Sequence, residues 1–192
     1  MERSQWPLEG RFVLYDNAGN AVAVDSTTLC LETVDHSRSA IHNGEHYYYS
    51  DYHDIVQNTV DEHLIITPNT TAWAHMSFEI SSSAGQVIIE LSEGATVSSN
   101  GTPESIFNRN RNFAANNTTL IYSAPTVLTQ GTVIGAAKFG VGDKKITAGE
   151  ISTSESEMVM KQNTIYLLRI TELNIANTTV NLSIDWHEHT NM

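Results

Sequence analysis

Ala72-Trp73-Ala74-His75-Met76-Ser77-Phe78-Glu79-Ile80 is the run that decides the fold class. Side chains on a strand alternate between faces with a period of two. Ala72, Ala74, Met76, Phe78 and Ile80 therefore share one face, and Trp73, His75, Ser77 and Glu79 share the other. Ser82-Ser83-Ala84-Gly85 turns the chain, and Val87, Ile89 and Leu91 repeat the apolar half of the pattern. The two runs read as a hairpin with one face toward a core.

The same period recurs in both directions. Downstream, Glu157 to Met160 is a strand, Lys161-Gln162-Asn163 a turn and Thr164 to Ile170 the next strand. Thr179 to His189 closes the pattern, with Val180, Leu182, Ile184 and Trp186 facing in and Asn181, Ser183, Asp185 and His187 facing out. Ile106 to Asn112, Thr118 to Tyr122 and Pro125 to Leu128 are weaker strands, Glu93 to Ser105 is a loop, and the glycine-rich stretch Gly131 to Ser154 reads as a long, mobile excursion. Upstream, Glu62 to Thr67 and the tyrosine-rich His46 to Ile55 are strands. Eight or nine short strands predict an all-β protein, an antiparallel jelly-roll-like β-sandwich. Residues 46–192 form this sandwich. Residues 1–45 are expected to hold a hairpin (Arg11 to Tyr15 and Ala21 to Val24, about the turn Asp16-Asn17-Ala18-Gly19-Asn20) and then an extended arm, Asp25 to Glu45, where no period emerges.

A chain of 192 residues can bury a sizeable core without covalent staples. Lys and Arg number 10 against 22 Asp and Glu, a net charge of −12. Such a balance argues against binding a phosphate backbone or an anionic membrane surface, so neither nucleic acid nor membrane is an expected partner. Cys30 is the one cysteine; it excludes an internal disulfide and a cysteine zinc site and reads as a packed hydrophobe. No run of 18 apolar residues occurs, and the first residues lack the apolar core of a signal peptide. Asn-x-Ser/Thr triplets at Asn69, Asn100, Asn116, Asn117, Asn177 and Asn181 then read as a by-product of an Asn/Thr-rich β protein.

The chain carries no glycine-rich phosphate loop before a helix, no Gly-x-Ser-x-Gly, no His-Glu-x-x-His and no EF-hand loop. A non-enzyme without a cofactor is the expectation. Asp185, His187 and His189 share a face, a spacing with which imidazole and carboxylate bind a divalent metal. At the end of a strand, solvated side chains are the favoured reading. His36, His42, His46, His53 and His63 are irregularly spaced and mostly neighbour acids, which suits solvated or interface roles. The carboxylate pairs Asp51/Asp54 and Asp61/Glu62 would suit glycoside hydrolysis only if a cleft separated the two carboxyls correctly. Tyr47, Tyr48, Tyr49 and Tyr52 put aromatics on both faces of one strand, which fits either a core or a subunit interface. Arg109 and Arg111 would share a strand face and bind carboxylates or carbonyls at a packed junction.

Three segments carry a resemblance: Val13 to Val24; Phe107-Asn108-Arg109-Asn110-Arg111-Asn112; and Lys161 to Thr171, completed by Asp185-Trp186-His187-Glu188-His189. Together they resemble a family of tailed-bacteriophage virion proteins. The resemblance implies a capsid decoration (cement) protein on the outer surface of the shell, bound to the major capsid protein. A homotrimer would match the three-fold sites of an icosahedral shell. It supplies no catalytic residues. The expected interface anchors are Trp6, Tyr47, Tyr49, Tyr52, Arg109 and Arg111. The rival reading is a tail- or fibre-associated receptor- or carbohydrate-binding module that uses Trp73 and the tyrosines as its platform. A polysaccharide hydrolase is a third.

Overall fold

The computed structural model describes residues 36–83, 86–140, 149–152, 157–173 and 178–190. Trp6, the hairpin between Arg11 and Val24, and Cys30 lie outside the described residues. The chain divides into one unit of residues 1–36 and another of residues 37–192.

The described elements are helix α1 (His36–Asn43) and strands β1 (His46–Ile55), β2 (Val60–Thr67), β3 (Ala72–Ser82), β4 (Gln86–Glu93), β5 (Thr96–Ser99), β6 (Thr102–Pro103), β7 (Phe107–Asn108), β8 (Leu120–Ser123), β9 (Thr126–Thr129), β10 (Thr132–Gly140), β11 (Gly149–Ser152), β12 (Met158–Val159), β13 (Thr164–Glu172) and β14 (Thr178–Thr190). Sheet one has the order β11-β3-β14-β1-β7, with β12 also on β3; sheet two has the order β10-β4-β13-β2-β8-β6. β5 and β9 form a separate two-stranded ribbon.

The pairings nest. β1 pairs with β14, β2 with β13, β3 with β11 and β4 with β10, all antiparallel, and successive pairs alternate between the sheets. β14 also pairs with β3, and β13 with β4, which joins the pairs into two packed sheets. An antiparallel ribbon rolled up in this way is a jelly roll. The expected all-β sandwich is the observed fold.

The core lies between the sheets. Met76, Phe78 and Ile80 from β3 and Leu182, Ile184 and Trp186 from β14 meet Ile89, Leu91, Ile65, Leu168 and Ile170 of sheet two. For β3, β4 and β14 these are the faces that the period-two reading assigns inward. A second, smaller cluster covers part of the outer face of sheet two. Leu64 and Leu167 point out of sheet two and pack with Ala95 against Val97 and Val127 of the β5–β9 ribbon.

Besides the loop expected over Glu93 to Ser105, which holds β5, paired with β9, and β6, paired with β8, four expectations are corrected. First, β3 and β4 are not a hairpin; they lie in different sheets. Both strands bury one face, but the two faces meet across the core instead of lying side by side. Second, the stretch from Gly131 to Ser154 is not an excursion throughout. β10 pairs with β4 and β11 pairs with β3, one at the edge of each sheet. Gly131 has φ +84°, and a Cβ there would stand 2.4 Å from the Glu93 carbonyl oxygen, so this glycine serves the close approach of two strands. Third, the arm expected over Asp25 to Glu45 ends in α1. Gly44 (φ +77°) terminates the helix, with Gly44 N donating to Ile41 O at 3.1 Å and Glu45 N to Ala40 O at 2.9 Å. This is a Schellman motif, and it needs the left-handed residue that glycine supplies. Fourth, the strand expected over Ile106 to Asn112 is paired only at Phe107 and Asn108.

Trp186 and Glu188 point inward together at the end of β14. Glu188 accepts hydrogen bonds from Thr118 N (2.8 Å), Thr118 Oγ1 (2.6 Å), Thr119 N (2.8 Å) and Trp186 Nε1 (3.0 Å). One carboxylate thus ties the segment before β8 to sheet one. Glu188→Ala leaves those donors without their acceptor, at a cost of about 1–3 kcal/mol for each one that stays buried. The expected outcome is a loss of at least about 3 kcal/mol in urea unfolding, seen as a lower midpoint at unchanged slope.

Candidate functional site: two histidine clusters and an aromatic–arginine ladder

β14 runs between β1 and β3, so the outward residues of three strands form rows across sheet one. One row is His46, His187 and His75; the next is Tyr48, Asp185 and Ser77. His189 lies opposite Trp73. The sequence is only locally informative here, because strand order alone brings His75 next to residues more than a hundred positions away.

His75, His187 and His189 each bring a ring nitrogen within 4.8 Å of the others. Their rings stack, with centroids 4.8 Å apart for His75 and His187 and 5.4 Å for His187 and His189. Glu157 caps two of them, at 3.5 Å from His75 Nδ1 and 3.1 Å from His187 Nδ1. The Asp-x-His-x-His set read from the sequence therefore does not act as a unit. His75 and Glu157 join the two histidines, while Asp185 is engaged elsewhere. The strand also runs on in register to Thr190, opposite Ala72.

Asp185 holds the second feature together. Arg109 Nε donates to its Oδ1 at 2.6 Å, Arg109 Nη2 contacts the same oxygen, and His46 Nε2 stands 3.6 Å away. The Arg109 guanidinium also lies 4.8 Å from the Tyr48 ring centroid, and Arg111 lies 5.0 Å from that of Phe107. Tyr48 and Phe107 pack at 5.8 Å. Cation and ring alternate, so the exposed guanidiniums are held in place. The expectation that Arg109 binds a carboxylate at a junction matches this geometry; Arg111 uses an aromatic face instead.

The expected aromatic anchors divide by face. Tyr47 and Tyr49 point inward and are buried, Tyr47 against Trp186 with ring centroids 5.9 Å apart. They are core residues and offer nothing to a partner, which corrects their assignment to an interface. Tyr52 points outward and is 69% exposed. The carboxylate pairs are split in the same way. Asp54 accepts from Thr179 Oγ1 at 2.7 Å, and Glu62 receives Arg169 Nε at 2.7 Å on the outer face of sheet two, while Asp61 turns inward.

Asp61 belongs to an inner cluster that the sequence reading missed. His53 (β1) and His63 (β2) meet edge-to-face at 5.0 Å, and Asp61 Oδ2 stands 3.7 Å from His63 Nδ1. Tyr49 Oη is 3.3 Å from His63 Nε2. Burial holds the His63 imidazole below its ordinary value, against the opposing pull of Asp61. Burial, with Glu104, Asp51 and Asp61 nearby, pushes the Tyr49 hydroxyl up. The available signal was the repeated Asp-x-His, at Asp51/His53 and Asp61/His63, on two adjacent strands whose inward positions it occupies.

Burial raises the Asp185 carboxyl, but His46 and Arg109 outweigh burial and hold it below the ordinary 3.8. A carboxyl depressed in the folded state contributes stability above its unfolded value and loses it as pH falls through the folded one. The stability difference between wild type and Arg109→Ala should therefore be present at pH 7 and shrink below about pH 4. Urea unfolding of both proteins at pH 7 and pH 3 measures it; a difference that persists undiminished at pH 3 contradicts the assignment.

No protein-family model matches the chain, and no curated protein matches it.

Proposed function

We propose that this chain is a capsid decoration protein of a tailed bacteriophage, a jelly roll that docks on the outer surface of the major capsid protein shell and strengthens it. The observation that carries the reading is the preorganised outer surface along β1 and β7. Tyr52 stands exposed there, and Phe107, with Arg111 over its ring, continues the Tyr48–Arg109 ladder. Tyrosine and arginine dominate the energetics of protein interfaces, and side chains already held in place lose little entropy on docking. The jelly roll supports the reading as an architecture common in viral capsid proteins, and the three segments that resemble tailed-phage virion proteins point the same way.

On this reading the protein performs no chemistry and resides on the capsid surface. Added contacts between capsomers raise the barrier to rupture, so the benefit is kinetic stability of the particle. Binding as a homotrimer at three-fold positions would multiply each weak contact through effective concentration.

The second reading is a tail- or fibre-associated carbohydrate-binding module. One observation favours it: Trp73 is part-exposed (37%) on the outer face of β3, opposite His189. A flat aromatic beside polar side chains is a platform for a sugar ring.

Purified protein mixed with mature, undecorated capsids separates the two. Decoration predicts saturable binding at micromolar concentration or tighter, and weaker binding to free coat subunits. Tyr52→Ala combined with Arg111→Ala, both on the surface, should weaken capsid binding by roughly thirtyfold, the effect of losing about 2 kcal/mol of hot-spot contact. No capsid binding, together with glycan binding that Trp73→Ala abolishes, would replace decoration by adhesion.

A further inference from the structure

We propose that His53, Asp61 and His63 bind a divalent transition-metal ion in the sandwich interior, as a two-histidine, one-carboxylate set. The inference is independent of the capsid reading. β1 and β2 belong to different sheets and turn His53 on one and Asp61 and His63 on the other toward the same interior space. One ligand atom from each residue lies within 4.8 Å of the other two.

The hydrogen bonds show why these atoms face a cation. His53 Nε2, Asp61 Oδ2 and His63 Nδ1 are all buried and have no hydrogen-bond partner. His63 is fully buried. Tyr49 Oη contacts Nε2 of His63 at 3.3 Å. With Nδ1 on a metal ion, Nε2 would carry the ring proton and donate it to the Tyr49 oxygen. Nδ1 of His63 faces Asp61 Oδ2 on the other side of the ring, and neither atom makes a hydrogen bond. The two buried atoms stand 3.7 Å apart.

A shared proton does not close that gap, since a hydrogen bond needs about 2.7–3.2 Å. A metal ion does, because bonds of about 2.0–2.2 Å to nitrogen and oxygen span it at an open angle. The Tyr49 contact is the outer-shell bond that fixes the tautomer and ring orientation of a metal-ligating histidine. Asp51 Oδ2, 3.7 Å from His53 Nε2, is placed to serve as a fourth ligand. Asp51, Asp61 and Glu104 make the site electronegative. Two imidazoles favour zinc, iron(II), cobalt or nickel over magnesium or calcium. An ion there clips β1 of sheet one to β2 of sheet two, so metal binding and folding are linked.

The test uses the full chain, freed of metal with EDTA and titrated with Co²⁺ and Zn²⁺. The expected result is one equivalent bound, visible Co²⁺ absorption and a higher unfolding temperature with either ion. Asp61→Asn should weaken binding by at least roughly a hundredfold, and Tyr49→Phe by about tenfold. His187→Gln, in the outer cluster, should leave it unchanged. Binding that disappears in His187→Gln and survives Asp61→Asn overturns the proposal and assigns the ion to the outer cluster. Absence of binding to wild type overturns it outright. Should Asp61→Asn fail to fold, wild-type ring resonances decide. Bound Co²⁺ must shift those of His53 and His63, and unshifted rings with the ion bound overturn the proposal.

Discussion

The two ladders of β14 are the constraint on which the rest of the structure depends. Along most of its length this strand is hydrogen-bonded to β1 on one side and to β3 on the other. Register is therefore set twice. A slip of one residue would bring His187 and Asp185 into the core and expel Trp186 and Ile184. That exchange would bury charge and lose the largest side chain of the interior at once, so both errors oppose the slip together. Glu188 extends the constraint beyond the sheet, because its carboxylate reaches the core only in this register and there collects the amides of Thr118 and Thr119.

The rolled ribbon decides which residues meet. Neighbours in the sequence are sent to opposite sheets, and neighbours in a sheet come from opposite ends of the chain. The outer histidine cluster arises by the second route, from β3 and β14. The inner one arises by the first, from β1 and β2 facing each other at a flank of the sandwich. The ladder of Arg109 over Tyr48 has the same origin, since β7 joins the edge of sheet one beside β1 and so brings a loop arginine to Asp185 on the strand beyond.

Period-two alternation made the strands and their inward faces legible. Met76, Phe78, Ile80, Leu182, Ile184 and Trp186 stand where that period puts them. Partnership was not legible, because an alternating strand says which face is buried and not what buries it. The β3–β4 pair shows this: a short polar turn between two amphipathic strands serves a hairpin and a crossing between sheets equally well. The tyrosines show a related limit. Aromatics on both faces of β1 pointed to a covered second face, but Tyr47 and Tyr49 fill the chain's own core and Tyr48 is covered by Phe107 of the same chain. Asp185 and His187 were correctly placed on one face, yet Arg109, far away in sequence, determines what Asp185 does.

Buried atoms without a hydrogen bond, more than the number of histidines, distinguish the two clusters as ligand sites. Three imidazoles on the outer face stack on one another and lean on Glu157, and the groove beside them is open to water. His187 is buried there, but Glu157 already partners its Nδ1 and that of His75, so geometry alone gives weak grounds for an ion. Inside, His63 is fully enclosed and its Nδ1 stands 3.7 Å from Asp61 Oδ2, with neither atom hydrogen-bonded. A protein interior does not tolerate that arrangement without compensation, because an unmet polar atom forfeits its hydration and gains nothing in return. The cluster with fewer histidines therefore makes the stronger demand for a cation, and it does so in a chain whose excess of carboxylates supplies three of them at the site.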